Sequence, residues 1–378
     1  MSASVEPAWS WPHLHEAQRI VLSEVLVHGA RSRAALARRT GMSRTSLTRL
    51  SRDLVELGLV VEGETVLAPA RGRPSELLDV RPNAAHFAGI KLTGDSLYAA
   101  VTDLRAKTVT TMERRLESRA VGDVVDLIGE VVAELRADYP RICAVGVCLA
   151  GDVVTDNGLR RLVGSHFLGW EDVPLAELVA ARTDLPAQIS NDVQALTAAH
   201  HWFGAGVGQS SLALIGLGAG VGVGLVVGDE PVRGSRGHPG KVGHLRLSDS
   251  GPTCDRGHVG CVSAYVTIPA VVQNSGRVDF AGVLAAADAG DERSQQALRS
   301  ATWALGAVIA HLANLFDPAR VIVTGEGLPI ATYDEALLEE TITAHLDPAA
   351  EAVDLDLHPF DFSDYAWAAA ISAIRLVL

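Results

Sequence analysis

The sequence is poor in several features that would place the protein in a particular class. Aromatic residues make up 5% of the 378 residues, and only four cysteines occur. So few cysteines argue against a disulfide-stapled scaffold and favour free thiols or a metal site. The longest apolar-looking run, 211–228, contains six glycines, which is too many for a membrane-spanning helix and suits a tight glycine loop.

Targeting features are scarce as well. The first 18 residues show neither the basic start nor the apolar stretch of a secretory signal. We therefore expect a cytoplasmic protein with no membrane partner. The length, together with 48% hydrophobic residues, predicts more than one domain with sizeable cores.

Positive charge is also in deficit, with 32 Lys and Arg against 45 Asp and Glu. The first 82 residues break this rule, since they hold 11 Arg and 9 acids, and the stretch 31–52 holds seven arginines and no acid. A cationic island on an acidic chain is typical of a nucleic-acid-binding head, because arginine contacts to phosphate release counterions. The alternative is an ordinary solvated face.

Three short helices are predicted in this basic region, over residues 13–29, 33–40 and 44–57. Ser32 and Ser43 are suited to cap the second and third helices, and the glycines at the ends are suited to stop them. Three helices joined by tight turns, with the arginines on the second and third, predict a helix-turn-helix whose third helix reads the major groove.

The predicted head continues beyond these helices. Residues 59–67 suggest two short strands with a turn, which form a wing. Residues 70–74 then read Ala-Arg-Gly-Arg-Pro, similar to the core of an AT-hook that lies in a narrow A·T minor groove. The alternative for this pentad is a plain linker. The candidate DNA-binding residues are Arg33, Ser43, Arg44, Thr45, Ser46, Thr48, Arg49, Arg52, Arg71 and Arg73.

The pattern changes to α/β after the Arg81-Pro82-Asn83 boundary. The predicted organisation is a disordered N-terminus (1–12), a winged helix-turn-helix (13–69), an AT-hook-like linker (70–82) and an α/β domain (83–378). Buried strands alternating with amphipathic helices support the last of these.

Several separated motifs then occur in a recognisable order. They are the head MSRTSLTRLSRDLVELGLV, AVGVCLAGDVV (144–154), LGWEDVPLAELV (168–179), ISNDVQALTAAHHWFGAG (189–206), the glycine-rich 216–244, CDRGHVGC (254–261) and LGAVIAHLANLFDPARVIVTGEG (305–327). Together they resemble the ROK family of repressors and sugar kinases, in its transcription-regulator branch. The resemblance implies an α/β fold with a winged helix-turn-helix followed by a two-lobed actin/hexokinase-like, ribonuclease H-like domain.

The resemblance also implies a sugar site. Asn191 and Asp192 stand where the family's sugar-contacting Asn and catalytic Asp stand, and His244 matches the His of E-x-G-H. Lys241 replaces the Glu of that motif, Ser263 replaces the Glu after the last zinc cysteine, and Phe167 replaces an Asn. The candidate ligand residues are Asn191, Asp192, Lys241 and His244. Lys241 suits a carboxylate or phosphorylated sugar, and the alternative is an Asp192–Lys241 ion pair that leaves no ligand site.

The nucleotide side departs further from the kinase pattern. The phosphate loop D-x-G-G-T-K corresponds here to residues 91–96, in which Lys91 replaces the aspartate and Thr93 replaces a glycine. Gly218-Ala219-Gly220 resembles the second phosphate loop. We therefore expect no ATP as cofactor and no enzyme activity.

A zinc site of the family would use the His of E-x-G-H and three cysteines. This chain offers His244, Cys254 and Cys261, while Arg256 holds the middle cysteine's position and His258 is a substitute two residues on. The alternatives are a structural Zn²⁺ and an ordered loop with two free thiols.

These features support a DNA-binding transcriptional regulator, expected to be a repressor. It would be a homodimer or tetramer on a palindromic, A·T-rich duplex and would sense a sugar, sugar phosphate or related molecule. The alternatives are a regulator whose body only oligomerises, and an active sugar kinase with an N-terminal extension.

Overall fold

The computed structural model describes residues 10–66, 75–156, 159–237 and 239–378. The chain divides into two compact units, one formed by residues 1–203 and 365–378 and the other by 204–364. The head belongs to the first unit. Its elements are α1 (Glu16–His28), β1 (Arg31–Ser32), α2 (Arg33–Thr40), α3 (Arg44–Glu56), β2 (Val60–Val66) and β3 (Ser75–Val80).

The wing differs from the sequence prediction. β2 is one continuous strand. Between Glu62 and Thr65, where the sequence predicts a turn, its pairing with β3 shifts register as at a β-bulge, and the chain does not reverse. It pairs antiparallel with β3, which in turn pairs with β1. The prediction of two strands within 59–67 and of a linker over the whole of 70–82 is therefore wrong, since 75–80 is a strand of the wing.

Arg71 and Arg73 of the AT-hook-like pentad lie outside the described residues, in the sequence between β2 and β3. Their contact with DNA stays a prediction. The predicted disorder of residues 1–12 fails at its end, because the ring of Trp11 packs edge-on against that of Phe87, with centroids 5.9 Å apart. Residues 1–9 are outside the described part.

The rest of the first unit is α/β. After a 3₁₀ turn at Pro82–Ala84 come β4 (His86–Leu92), β5 (Ser96–Asp103), β6 (Thr108–Arg115), α4 (Val121–Asp138), β7 (Ile142–Leu149), β8 (Asp152–Asp156), β9 (Leu159–Ser165), β10 (Trp170–Val173), α5 (Leu175–Thr183), β11 (Ala187–Asn191) and α6 (Asp192–Phe203). A five-stranded sheet has the order β11-β7-β4-β5-β6, with β4, β7 and β11 parallel and β5 and β6 antiparallel. β8, β9 and β10 form a small antiparallel sheet.

The second unit repeats this pattern. Its elements are β12 (Ser211–Leu217), β13 (Val221–Val227), β14 (Glu230–Pro231), α7 (Val262–Val266), α8 (Ile268–Ser275), α9 (Phe280–Asp288), α10 (Glu292–Phe316), β15 (Arg320–Thr324), α11 (Pro329–Thr332), α12 (Glu335–His345) and β16 (Leu355–Leu357). The last helix of the chain, α13 (Ser363–Val377), belongs to the first unit from residue 365 onward. The sheet order is β14-β13-β12-β15-β16, again with two antiparallel pairs followed by two parallel pairs. Two α/β lobes of one topology confirm the predicted ribonuclease H-like fold class.

The last helix explains two glycines of the first sheet. Gly89 of β4 lies opposite Gly146 of β7 in register. A β-carbon on Gly89 would lie 1.9 Å from the carbonyl oxygen of Ala366, and one on Gly146 would lie 1.8 Å from that of Ala369. α13 therefore packs its backbone directly on the sheet, which fixes the strands that carry Lys91 and Cys148.

Two further observations concern cysteines and membranes. Cys143 and Cys148 are buried packing residues, and burial raises the pKa of the Cys143 thiol to about 12. Across the described part of the chain, no helix combines the length and the apolar character needed to span a bilayer.

Candidate functional site

The turn between α2 and α3 is built from local capping. The Ser32 hydroxyl accepts a hydrogen bond from the Ala35 N–H, and the Ser43 hydroxyl accepts one from the Ser46 N–H. Gly41 ends α2 in the left-handed conformation, with φ of 70°. These caps begin and end the helices within a residue or two of the predicted positions, and they fix the direction in which α3 leaves the turn.

α3 has one buried and one exposed face. Leu47, Leu50 and Leu54 are buried, with at most 6% exposure, and anchor the helix in the head. The predicted reading positions all lie on the opposite, exposed face: Arg44, Thr45, Ser46, Thr48, Arg49 and Arg52, with the cap residue Ser43 exposed beside them. The helix therefore presents hydroxyls and guanidinium groups together, the donors that contact phosphates and base edges.

The arginines of α2 and α3 differ in whether they form ion pairs. Within the described residues, Arg44, Arg49 and Arg52 form no ion pair, whereas Arg39 on α2 donates to Glu24 at 2.5 Å. Unpaired exposed guanidinium groups on one helix face need a counterion. We call Ser43, Arg44, Thr45, Ser46, Thr48, Arg49 and Arg52 the α3 surface.

Arg33, one of the predicted DNA contacts, is engaged by residues of the head itself. Its Nε donates to the Ser51 hydroxyl at 2.9 Å, and its guanidinium pairs with Glu62 of β2 and, at 3.7 Å, with Glu76 of β3. The side chain is thus committed to joining α2 and α3 to the wing. Spacing alone could not separate it from the free arginines, because its acidic partners are 29 and 43 positions away in sequence.

A buried ion pair lies in the first lobe. Lys91, at the end of β4, places Nζ 2.5 Å from Oδ2 of Asp192, the first residue of α6, and Lys91 is 4% exposed. The same ammonium lies 4.4 Å from the ring centroid of Tyr365. The sequence left open a pair between Asp192 and Lys241, but the ammonium found at Asp192 is that of Lys91, the residue that replaces the kinase aspartate.

Asp192 keeps one unmet acceptor. Its Oδ1 is buried and accepts no hydrogen bond from the described residues. The neighbouring Asn191 is internally satisfied, because its Oδ1 accepts from the Val193 N–H at 3.0 Å and its Nδ2 donates to the Gly151 carbonyl at 3.0 Å. Asn191 therefore caps α6, and Asp192 is the residue of this pair with remaining hydrogen-bonding capacity.

The loop that corresponds to the first phosphate loop is closed by its own contacts. The Thr93 hydroxyl donates to Asp95 at 2.8 Å and accepts from the Ser96 N–H at 2.9 Å. The Arg119 Nε donates to the Gly94 carbonyl at 2.5 Å. Side-chain contacts thus fill the turn in which a phosphate-binding loop offers bare backbone N–H groups.

Lys241 and His244 belong to the second unit, and both are exposed. The ring of His244 faces two cysteines. Its Nδ1 lies 3.8 Å from the Cys254 Sγ and 3.9 Å from the Cys261 Sγ. The donor atoms of His244, Cys254, His258 and Cys261 all lie within 4.8 Å of one another.

This four-donor cluster fits tetrahedral zinc. Zn–S and Zn–N bonds of about 2.3 and 2.0 Å at the tetrahedral angle separate sulfur and nitrogen ligands by about 3.5 Å, close to the two His244 distances above. Arg256 does not obstruct the cluster. Its side chain is 59% exposed and its nearest acid is Asp255, at 3.9 Å.

The two thiols differ in their surroundings. Burial acts to raise the pKa of the Cys254 thiol, but hydrogen bonds from the Arg256 and His258 backbone outweigh it and lower the pKa. Burial is the largest effect on the Cys261 thiol and raises its pKa, against a smaller lowering by a backbone hydrogen bond from Ala264. Backbone N–H groups aimed at the Cys254 sulfur favour a thiolate, the form that binds metal.

The fold and these surfaces define a class of protein: a winged-helix head followed by two α/β lobes of a sugar-kinase type. The ROK family pattern matches residues 87–375. The chain belongs to the ROK family.

Similar proteins match most of the length of the chain. The putative xylose repressor of Caldicellulosiruptor sp. (strain Rt8B.4) is 26% identical over 327 residues, which is 80% of this chain and 81% of that protein. The DNA-binding transcriptional dual regulator NagC of Escherichia coli (strain K12) is 24% identical over 368 residues, 93% of this chain and 89% of the other. A solved ROK family transcriptional regulator, a homologue of E. coli Mlc, shares the fold with a TM-score of 0.81 at 21% identity, covering 96% of this chain and 98% of that one.

Proposed function

We propose that this protein is a DNA-binding transcriptional repressor of the ROK type. The observation that carries the proposal is the α3 surface, on which Arg44, Arg49 and Arg52 are exposed and free of ion pairs within the described residues. The net charge of the chain is −13, so a general attraction to DNA is absent and binding must come from a local basic surface. The names of the similar proteins, repressors and a DNA-binding regulator, support the same reading.

The target is a palindromic, A·T-rich duplex bound by a homo-oligomer. One α3 surface reads only a half-site, and two heads related by symmetry double the contact and set the half-site spacing at about one helical turn or a multiple of it. The Arg-Gly-Arg-Pro segment between β2 and β3 supplies the minor-groove preference.

Fluorescence anisotropy with duplexes taken from upstream of the protein's own and neighbouring genes tests this proposal. We expect one or a few duplexes to bind well above a scrambled duplex of equal length at near-physiological salt. Equal affinity for all duplexes, or binding to none, would remove the basis for a sequence-specific regulator.

The body senses a small hydroxylated ligand, such as a sugar or a sugar phosphate. Asp192 supports this, because its buried Oδ1 has no donor and an unmet buried acceptor costs about 1–3 kcal/mol. A ligand hydroxyl that donates to Oδ1 recovers this free energy. Similar proteins include a putative xylose repressor and an N-acetylglucosamine repressor, and xylose and N-acetylglucosamine are ligands of this class.

Thermal-shift screening against neutral sugars and sugar phosphates separates a sensing body from one that only oligomerises. A ligand at one hundred times its Kd stabilises the fold by about 2.7 kcal/mol. We expect such a stabilisation of the wild type by at least one sugar and its loss in Asp192→Ala. If no compound raises the midpoint of thermal unfolding, the body only oligomerises and senses no ligand.

The body does not act as a sugar kinase. A kinase of this type needs a carboxylate base that takes the proton of the sugar hydroxyl. Here the carboxylate of Asp192 is held 2.5 Å from the buried Lys91 ammonium, so one of its two oxygens is already engaged in an ion pair. Release of ADP from ATP with a panel of hexoses is expected to stay at the no-enzyme rate, and turnover above it would overturn this point.

A structural zinc ion is held by His244, Cys254, His258 and Cys261. His258 takes the place of the cysteine that Arg256 replaces, since its ring lies against that of His244 with centroids 4.8 Å apart. When bound, zinc supplies cross-linking of the loop and no catalytic chemistry.

His258→Ala is expected to lose the metal, because three donors bind zinc far more weakly than four. Metal analysis of protein purified without chelator should give one zinc per wild-type chain and much less than one for the variant. Arg256→Ala is the matched control and should keep its zinc. A wild type without zinc, or a His258→Ala variant that retains it fully, would contradict the assignment.

A further inference from the structure

The hairpin turn between β12 and β13 is built of small residues, Gly218, Ala219 and Gly220. Its Gly218 N–H donates to the Gly220 carbonyl at 2.9 Å, and Ala219 and Gly220 are exposed. A turn without side chains lets an anion approach backbone N–H groups closely, which is why phosphate-binding loops are rich in glycine. What lies over this turn therefore decides whether a phosphate group can reach it.

A second turn packs against the first one. β15 runs parallel to β12, and the turn Gly325-Glu326-Gly327 follows its last residue, Thr324. The Gly327 N–H donates to the Leu217 carbonyl at 2.9 Å. Gly325 has φ of 109°, and a β-carbon there would lie 2.2 Å from the same carbonyl oxygen. The backbone of the second turn is thus held directly against the end of β12.

This contact places the Glu326 side chain over the glycine turn. Its Oε2 lies 2.6 Å from the position that a β-carbon on Gly218 would take, and its Cδ lies 3.3 Å from that position. The carboxylate therefore occupies the space that the absent Gly218 side chain leaves open. Glu326 is only partly exposed, so the carboxylate is packed in the fold.

We propose that Glu326 excludes nucleoside triphosphates from this turn. The carboxylate occupies the volume in front of Gly218 and repels the negative charge of a phosphate chain at contact distance, where a partly buried site screens little. Gly218 also has its N–H committed to Gly220, so the turn offers a phosphate one donor fewer. Glu326 is thus a specificity-determining residue that prevents ATP from binding to the second lobe. This effect does not depend on which ligand the first lobe binds.

The effect of Glu326 on nucleotide binding does not depend on the Lys91–Asp192 pair or on DNA binding. Lys91 affects proton transfer in the first lobe, whereas Glu326 affects nucleotide affinity in the second. Direct binding of nucleotide, measured without any sugar or DNA, therefore tests Glu326 alone.

Equilibrium dialysis of the full chain with labelled ATP and Mg²⁺ is the experiment, using wild type, Glu326→Ala and Glu326→Gln. Alanine removes both volume and charge, while glutamine keeps the volume and removes the charge. Glu340→Gln, an exposed glutamate on α12 of the same unit, is the control with the same change in net charge. The midpoint of thermal unfolding of each variant verifies that it is folded.

We expect wild type and Glu340→Gln to bind ATP too weakly to detect at millimolar concentration. Glu326→Ala should bind about tenfold more tightly or better, with Glu326→Gln in between. Wild-type binding equal to that of Glu326→Ala would overturn the proposal. So would folded Glu326 variants that gain no affinity, because another feature would then exclude the nucleotide.

Discussion

Replacing Lys91 with methionine is expected to lower the free energy of unfolding by about 3–5 kcal/mol. The substitution keeps most of the side-chain volume but leaves the Asp192 carboxylate buried without its counter-charge, at a site where its Oδ1 already lacks a donor. The loss therefore comes from an uncompensated buried charge, and the Lys91 contact with the Tyr365 ring adds to it.

A double-mutant cycle in denaturant unfolding measures this effect. Asp192→Leu alone strands the Lys91 ammonium, and we expect a similar loss. The Lys91→Met/Asp192→Leu double variant should be much closer to wild type than the sum of the single losses, since neither charge is then left alone. Additive losses would show that the two groups do not interact in the folded protein.

Arg44→Ala combined with Arg49→Ala is expected to weaken operator binding by about one hundredfold or more, at unchanged stability. Both side chains are exposed and, within the described residues, free of ion pairs, so nothing in the fold depends on them. Each lost guanidinium contact to a phosphate or a guanine edge accounts for about 1–3 kcal/mol. Anisotropy with the tightest-binding duplex found for the wild type gives the ratio.

The matched control removes two arginines elsewhere. Arg114 and Arg161 are surface residues of the first unit that pair with Glu134 and Asp172. Arg114→Ala/Arg161→Ala changes the net charge by the same amount and should bind DNA nearly as the wild type does. Equal losses in both double variants would mean that net charge, and not the α3 surface, governs binding.

The head was largely predictable from local chemistry. Ser32, Gly41 and Ser43 act within one or two turns of chain, so their sequence positions fixed the helix ends closely. The leucine spacing of α3 likewise fixed which face is exposed. The wing was predicted incorrectly, because Gly63-Glu64 resembles a turn and only the long-range pairing of β2 with β3 shows that the strand continues through a bulge.

The charged sites were predictable only in part. The sequence shows that Lys91 replaces an aspartate. Its partner Asp192 is 101 positions away, and no local pattern shows that Asp192 pairs with Lys91 and not with Lys241. Arg33 likewise pairs with glutamates of the wing that are distant in sequence. A count of charges along a chain cannot distinguish free side chains from those paired through the fold.

The metal cluster was more predictable than the ion pairs and less predictable than the helix caps. Spacing identified His244, Cys254 and Cys261 and named His258 as a substitute, while Arg256 holds the position of the middle cysteine. The β-bridge between Thr253 and Val259 turns the loop so that Cys254 and His258 face His244, while Arg256, at the tip, points to solvent. A tight loop can therefore accept a cation in the middle of a ligand motif without disturbing the ligands.

The salt dependence of operator binding tests the central claim most directly. The logarithm of the association constant should fall linearly with the logarithm of salt concentration, with a slope of about −0.9 for each phosphate neutralised. Arg49→Ala should make the slope shallower by about one contact, while Arg114→Ala should leave it unchanged. A slope that is near zero for the wild type, or identical in Arg49→Ala and wild type, would contradict DNA recognition by the α3 surface.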